Sequence, residues 1–137
     1  MEIIQPADTK KKVLIIEDET PMLRALSDTF TRAGFNVLEA RDGSMALGIA
    51  LNNKPDIILL DIILPVMDGL TFLKKLREDT AFGRNVPVVL LTNLSADREA
   101  INKAITEGNP AYYLVKTEWT IRDVVEKVKE RLGMVQT

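Results

Sequence analysis

The sequence predicts a single α/β domain: a three-layer, doubly wound (βα)5 fold whose parallel sheet has the strand order 2-1-3-4-5. Two observations predict this fold. Short and almost uninterrupted apolar runs alternate with segments of helical periodicity, as expected for parallel strands that helices cover on both faces. The length of 137 residues, with 46% hydrophobic and 28% charged residues, is typical of one globular domain.

Five segments have the composition of strands, and each is followed by a helical pattern. The predicted strands are 12–17, 35–40, 56–61, 86–92 and 112–116. The second of them is more polar than the others, which predicts a position at an edge of the sheet.

The first two helices are bounded by capping and breaking residues. Thr20 is predicted as an N-cap with Pro21 at the first helical position, and Gly34 ends this helix. Asp42 is predicted to cap the second helix, which Pro55 ends.

The other three helices are amphipathic. The third follows the loop 65–69 and runs to about Asp79. The fourth is capped by Ser95 or Asp97 and ends at Gly108. Its inward residues are predicted to be Ala100, Ile101, Ala104 and Ile105.

The fifth helix begins with Thr120-Ile121-Arg122-Asp123, which resembles a capping box, and ends near Leu132. Residues 1–10 and 134–137 are predicted to be loose tails on a domain of residues 11–133. Net charge is −2 and no apolar stretch is long enough for a bilayer, so nothing favours nucleic acid or membrane as a direct partner.

Four of the apolar runs end at a charged or hydroxyl residue. These end residues are Glu17-Asp18, Asp61, Thr92 and Lys116. Because the carboxyl ends of parallel strands lie along one edge of a sheet, we expect them to converge where open α/β sheets bind ligands. Each acid alone would read as an ordinary solvated side chain; together they repel one another unless a cation is present.

The chemistry of this cluster favours phosphoryl transfer with a hard cation. The chain has no Cys and no His, so any metal must have oxygen ligands, and Mg²⁺ suits few carboxylates and several waters. Asp61 follows the central strand and is the best nucleophile, since a carboxylate can form an acyl phosphate. Thr92, the backbone N–H of Asn93 and Lys116 are positioned to stabilise the transferred group.

At this point the chain resembles the receiver domain of two-component response regulators, which are CheY-like proteins. The resemblance covers residues 11–133. It rests on a series of motifs in order: Leu14-Ile15-Ile16-Glu17-Asp18-Glu19, Asp42-Gly43, Asp61-Ile62-Ile63-Leu64-Pro65-Val66-Met67-Asp68-Gly69, Leu91-Thr92 and Tyr113-Leu114-Val115-Lys116.

The resemblance implies a role for each site residue. Asp61 would accept a phosphoryl group from a histidine kinase or a histidine phosphotransfer protein. Asp18, Asp61 and the backbone carbonyl of Ile63 would bind Mg²⁺ (or Mn²⁺), with Glu17 acting through water. Lys116 and Thr92 would contact the phosphoryl oxygens.

The resemblance also implies a switch, in which Thr92 moves toward the phosphoryl group and the ring of Tyr113 turns inward. The surface of the fourth helix, fifth strand and fifth helix would then signal to a protein target. Without the resemblance Tyr113 could equally be a packed sheet aromatic, and Trp119 could be an interface residue or cover the core.

Further expectations follow from the same resemblance. The chain would be a cytoplasmic signalling protein rather than an enzyme, and would catalyse only its own phosphorylation and slow self-dephosphorylation. Since few residues follow the fifth helix, we expect it to act without an attached output domain, as a monomer or weak homodimer.

Three departures from the family pattern bear on these roles. Lys116 is followed by Thr117 where the family usually has Pro after a cis bond, so the loop either stores the strain of a cis bond or runs trans and displaces Lys116 slightly. The link 108–112 is one residue longer than usual, which predicts an altered switching face. Ile63 and Leu94 are aliphatic where polar groups often position the attacking water, which predicts slow self-dephosphorylation.

Three other readings compete. An aspartyl-nucleophile phosphatase would need a second Asp two residues after Asp61, where this chain has Ile63. A flavodoxin-like FMN binder would need a phosphate loop after the first strand, where Glu17-Asp18-Glu19 would repel phosphate. A degenerate receiver used only as a binding module is disfavoured by the complete set of acids, Thr92 and Lys116.

Overall fold

The computed structural model describes residues 10–93 and 98–134. Its sheet has five parallel strands in the order β2-β1-β3-β4-β5, as predicted. The strands are β1 Lys12–Ile16, β2 Asn36–Ala40, β3 Ile57–Leu60, β4 Val88–Thr92 and β5 Tyr112–Val115. Each is one or two residues shorter than predicted, because the end residues lie outside the paired register of the strands.

Six α-helices surround the sheet in the described part of the chain. They are α1 Thr20–Arg32, α2 Gly43–Asn53, α3 Gly69–Asp79, α4 Ala81–Asn85, α5 Arg98–Gly108 and α6 Ile121–Arg131. The sequence analysis missed the short helix α4, so its fourth and fifth helices are α5 and α6. A single 3-10 turn, Lys116–Glu118, follows β5.

The helix ends confirm most of the predicted caps. Asp42 accepts a hydrogen bond from the Met45 amide at 2.8 Å, and Thr120 accepts one from the Asp123 amide at 3.1 Å. The predicted N-cap Thr20 is wrong: the Leu23 amide donates to the Glu19 carbonyl at 2.9 Å, so the helix begins one residue earlier than a Thr20 cap would allow. The predicted caps Ser95 and Asp97 lie outside the described residues.

The core is divided into two layers by the sheet, because successive strand residues point to opposite faces. On β1, Val13 and Ile15 pack with α1 and α6, whereas Leu14 and Ile16 pack with the helices α2, α3 and α5. The same alternation continues along β3 and β4. Strands covered on both faces explain why these runs are apolar without interruption.

Two residues depart from their predicted environments. Ile105 was expected to face inward, but 41% of its surface is exposed, because Ile101 and Ala104 fill the buried stripe of α5. Met134 was assigned to the C-terminal tail, yet it packs against the core beside α6, and its amide donates to the Lys129 carbonyl at 2.9 Å. The remaining tail residues, 1–9 and 135–137, lie outside the described part.

The link from α5 to β5 is held by a half-buried arginine. Arg77 on α3 donates from Nε to the Gly108 carbonyl at 2.9 Å and from Nη1 to the carbonyls of Gly83 and Val86 at 2.9 and 2.6 Å. Asn109 adopts the left-handed conformation, with φ of 46°. These contacts fix the end of α5, the end of α4 and the start of β4 relative to one another.

Across the described ranges, no helix has the length and apolar character needed to cross a membrane.

Candidate functional site

The register of the sheet brings the predicted acids to one edge. Ile16 at the end of β1 pairs with Leu60 at the end of β3, so Glu17 and Asp61 emerge side by side. They flank the boundary between β1 and β3, where the strand order reverses and open α/β sheets bind ligands. Both carboxylates are almost fully buried, with 2% and 6% of their surfaces exposed.

A single ammonium group holds these two carboxylates. Lys116 Nζ lies 2.6 Å from Glu17 Oε1 and 3.0 Å from Asp61 Oδ2, and only 7% of the Lys116 side chain is exposed. Glu19 Oε1 approaches the same nitrogen at 3.7 Å from the solvent side. Three acidic residues from one loop and one strand end therefore surround one cation.

The pKa values of Glu17 and Lys116 reflect both their burial and the proximity of opposite charges. Burial raises the pKa of Glu17, although the hydrogen bond from Lys116 opposes this shift. Burial alone would lower the pKa of Lys116, but hydrogen bonds to Glu17 and Asp61 outweigh it, and the pKa of Lys116 is raised. Lys116 is therefore held in its charged form at neutral pH, where it can balance anionic oxygens.

Asp61 is oriented by groups from three elements. Its Oδ1 accepts a hydrogen bond from the Ile63 amide at 3.2 Å and a long one from the Thr92 hydroxyl at 3.5 Å. Its own amide donates to the Ile16 carbonyl at 3.2 Å. Because Lys116 contacts the other carboxylate oxygen, both oxygens have fixed positions, and Asp61 is presented as an oriented nucleophile.

Two glycines let the loop after β3 pack closely enough to hold this geometry. The Gly69 amide donates to the Ile62 carbonyl at 2.8 Å, and a Cβ atom at Gly69 would lie 2.4 Å from the Asp61 carbonyl oxygen. The Gly43 amide donates to the Met67 carbonyl at 2.9 Å, and a Cβ there would lie 2.3 Å from that oxygen. The sequence analysis recognised both Asp-Gly pairs as motifs but missed this steric role.

The middle of the same loop is strained. Val66 has φ of 66°, a conformation that β-branched residues rarely adopt, and the Met67 amide donates to the Pro65 carbonyl at 2.7 Å across it. The Val66 side chain is 86% exposed. This tight turn projects an apolar side chain from the rim of the acidic site.

The structure separates the three predicted acids. Asp18 is exposed and is not an ion-pair partner of Lys116; its backbone carbonyl accepts a hydrogen bond from Arg41 at 3.1 Å. Adjacent residues at a strand end point in different directions, so only Glu17 turns inward. Glu19, which sequence reasoning missed, is signalled by its spacing of two from Glu17.

The peptide bond after Lys116 is trans, since the described residues contain no cis peptide bond. Of the two alternatives left open for Thr117, the structure has the trans one, and Lys116 still reaches both carboxylates. Lys116 begins the 3-10 turn instead of ending the strand, which directs its side chain toward the acids.

The proposed switch residues differ in exposure. Thr92 is fully buried, whereas Tyr113 has 36% of its surface exposed. Trp119 is half-buried and packs on the α1–α6 layer of the core, with Lys127 Nζ 5.9 Å from its ring centroid. Asn93 follows Thr92 and is half-buried, Ile63 is 55% exposed, and Leu94 lies outside the described residues.

The donor chemistry of this site fits a hard divalent cation, because two buried carboxylates, those of Glu17 and Asp61, face it. Within residues 10–93 and 98–134, no three acidic side chains converge closely enough to hold a metal ion by themselves. Lys116 stands between Glu17 and Asp61, and Asp18 faces outward.

Fold and site together define a doubly wound α/β protein with an acidic reaction site at its topological switch point. The model of the response regulator receiver domain matches residues 13–129, and the chain belongs to this family. The predicted resemblance to a receiver domain is thus confirmed.

Relatives of known identity support this assignment. The transcriptional regulatory protein PrrA of Mycobacterium tuberculosis is 36% identical over 124 residues, which cover 90% of this chain and 51% of PrrA. The response regulator PleD of Caulobacter vibrioides is 39% identical over 90 residues, or 66% of this chain and 20% of PleD. The chain spans about half the length of PrrA and less of PleD.

Solved structures give the same fold. A CheY-like response regulator receiver domain from Methanospirillum hungatei has a TM-score of 0.81 at 26% identity, with 91% of this chain and 95% of that chain covered. The receiver domain of the sensor histidine kinase PA1611 from Pseudomonas aeruginosa has a TM-score of 0.77 at 25% identity, with coverage of 91% and 99%. That neighbour has a magnesium ion coordinated in its active site cleft.

Proposed function

We propose that this receiver accepts a phosphoryl group on Asp61 from a histidine kinase or a histidine phosphotransfer protein. The observation that carries the proposal is the buried ammonium of Lys116, which contacts Asp61 Oδ2 at 3.0 Å and Glu17 Oε1 at 2.6 Å. A cation fixed beside an oriented carboxylate is suited to a reaction that joins a negatively charged phosphoryl group to that carboxylate.

The proposed reaction is a direct transfer. A carboxylate oxygen of Asp61 attacks the phosphorus of a phosphohistidine, an O–P bond forms, and the N–P bond breaks. The imidazole nitrogen leaves with the bonding electron pair. Lys116 and the Thr92 hydroxyl already contact Asp61, so they stand next to the oxygens that gain charge.

The cofactor in this proposal is Mg²⁺, or Mn²⁺. Asp18, Asp61 and the backbone carbonyl of Ile63 would hold it directly, and Glu17 would act through water. When bound, the ion supplies positive charge to the phosphoryl oxygens. The exposed side chain of Asp18 forms no ion pair with the side chains that the structure describes, which leaves its carboxylate available for this role.

The output surface in this proposal consists of α5, β5 and α6 and binds a downstream protein. Tyr113 and Ile105 expose 36% and 41% of their surfaces there. Withdrawal of Thr92 toward the phosphoryl group would open space beside β5, and the Tyr113 ring would turn into it. The amide of Asn93 would donate to a phosphoryl oxygen.

Phosphorylation by a small donor tests the acceptor. The protein is incubated with acetyl phosphate and Mg²⁺, and intact mass is recorded for the wild type, Asp61→Asn and the control Asp28→Asn, an exposed acid on α1. We expect the wild type and the control to gain one phosphoryl group, and Asp61→Asn to gain none while keeping its circular dichroism spectrum. No gain by the wild type would instead support a phosphorylation-independent binding module.

The phosphatase alternative makes a different prediction. Ile63 stands where such an enzyme has its general acid, and its exposed aliphatic side chain has no proton to donate. We therefore expect no catalytic turnover of a phosphate monoester such as p-nitrophenyl phosphate. Turnover that is lost in Asp61→Asn would overturn the receiver assignment of Asp61.

A further inference from the structure

A basic cleft lies at the edge of the sheet opposite Asp61, where β4 and β5 begin. Its volume is about 260 Å³. The polar part of its lining consists of three arginines and two asparagines: Arg77, Arg84, Arg131, Asn85 and Asn109. None of the described residues that line it is acidic.

The charge of this cleft is opposite in sign to the net charge of the chain. The sequence carries a net charge of −2, yet three guanidinium groups share one concavity. The ion pairs seen among the described side chains are made by Lys116, Lys127 and Lys129, and by none of the three arginines. Such a local concentration of positive charge attracts anions and repels cations.

The innermost arginine is already fixed in place. Arg77 donates to the carbonyls of Gly108, Gly83 and Val86 at 2.9, 2.9 and 2.6 Å. These acceptors orient the guanidinium but bring no negative charge. Burial lowers the pKa of Arg77, so its charged form lacks full compensation within the protein.

The rim and the walls complete the arrangement. Arg84 at the end of α4 and Arg131 at the end of α6 are exposed, so their guanidinium groups can close on a ligand from two sides. Pro87 and Pro110 form part of the walls, and Asn109 is held in the left-handed conformation. The unusually long link 108–112 therefore builds one side of the cleft.

We infer that this cleft binds a compact diphosphate group, either free pyrophosphate or the diphosphate of a nucleotide. Arg84 and Arg131 can each bind two phosphate oxygens at once. Arg77 also donates from Nη2 to the Asn109 carbonyl at 3.3 Å, so it has one N–H group left for a ligand and otherwise contributes its charge. Together the three guanidinium groups match the charge of two linked phosphates. The cleft, with a volume of about 260 Å³, has room for a group as compact as a diphosphate. This inference is independent of phosphorylation at Asp61.

Calorimetric titration with sodium pyrophosphate tests the site. Mg²⁺ is omitted and EDTA is present, because pyrophosphate chelates the ion. The variant Arg84→Gln/Arg131→Gln leaves Arg77 and its structural contacts intact. The control Arg32→Gln/Arg122→Gln removes the same charge from exposed positions outside the cleft. Thermal unfolding checks that both variants fold.

We expect the cleft variant to bind pyrophosphate more weakly by about tenfold or more, and the control to bind like the wild type. In NMR spectra recorded during the same titration, the largest chemical-shift changes of backbone amides should centre on Asn85 and Ala111. Equal weakening in both variants, no binding by the wild type at millimolar pyrophosphate, or shifts centred on Asp61 and Thr92 would overturn the inference.

The source of the diphosphate is distinguished by parallel titrations with ADP and AMP. Tighter binding of ADP than of pyrophosphate would identify a nucleotide, and equal binding would show that the diphosphate alone is recognised. AMP, which has one phosphate, should bind more weakly than either. Duplex DNA that binds more tightly than pyrophosphate and is released by the cleft substitutions would overturn the small-ligand assignment.

Discussion

The ammonium of Lys116 and the carboxylate of Glu17 are separated by 99 positions in the chain, yet they lie 2.6 Å apart. The contact joins the loop after β1 to the loop after β5 across the width of the site. Both groups are buried. The positive charge of Lys116 therefore balances the negative charges of the two buried carboxylates, Glu17 and Asp61.

Replacement of Lys116 by Met should destabilise the protein by about 3 kcal/mol, because it leaves two buried carboxylates without their cation. The measurement is urea unfolding at pH 7 in EDTA. Lys103→Met, which removes an exposed lysine on α5, is the matched control and should change the free energy of unfolding by less than about 0.5 kcal/mol. Equal losses in the two variants would mean that the buried contacts of Lys116 contribute nothing.

The pH dependence of that difference follows from the raised pKa of Lys116, whose ordinary value is 10.5. A lysine with a raised folded-state pKa stabilises the protein fully below the unfolded-state pKa and loses this effect as the pH rises through the folded-state value. We therefore expect the stability gap between wild type and Lys116→Met to be constant from neutral pH to about pH 10 and to shrink above it. A gap that grows above pH 10 would reverse the assigned direction of the shift.

Gly69→Ala should both destabilise the protein and impair phosphorylation. Its Cβ would lie 2.4 Å from the Asp61 carbonyl oxygen, so the backbone of the acceptor must move. We expect a loss of about 2–3 kcal/mol in urea unfolding and slower phosphorylation by acetyl phosphate. The matched change is Gly48→Ala on α2, where no atom lies within 4 Å of the added Cβ. It should stabilise the protein by about 0.5–1 kcal/mol and leave phosphorylation unchanged.

Ile63→Asn should shorten the lifetime of phosphorylated Asp61. Ile63 is 55% exposed beside the acceptor, and an amide there can orient a water molecule that the aliphatic side chain cannot. We expect dephosphorylation about tenfold faster, below the roughly 10²–10⁴-fold effect of a full general base. The decay is followed by intact mass at neutral pH with Mg²⁺. Val66→Asn, on the same loop but 86% exposed, serves as the control and should decay like the wild type.

The predictable part of the fold was set by local patterns. Apolar runs gave the five strands, and side-chain caps such as Asp42 and Thr120 gave helix starts. Helix α4 was not predicted, because five residues with a central glycine are too few to show helical periodicity. The role of Arg77 also escaped, because its carbonyl partners lie up to 32 positions away and backbone carbonyls leave no sequence signal.

The candidate site likewise has a part that the sequence predicted and a part that depends on tertiary structure. Strand ends identified Glu17, Asp61, Thr92 and Lys116, and the register of a parallel sheet brought all four together. Which neighbouring acid turns inward was not predictable, since that depends on where β1 leaves the ladder. The steric requirement at Gly69 depends on how closely α3 approaches β3, a distance that only tertiary packing sets.

The alternation of side chains along β4 and β5 has a consequence for signalling. Thr92 lies on the same face as Leu90, which pairs with Tyr113, so the hydroxyl and the ring occupy one side of the sheet. Tyr112, Trp119 and Lys127 occupy the other. The sheet thus separates the two switch residues from α1. Under the proposed switch, a protein that binds α1 would not sense phosphorylation of Asp61, whereas a protein that binds beside α5 would respond to it directly.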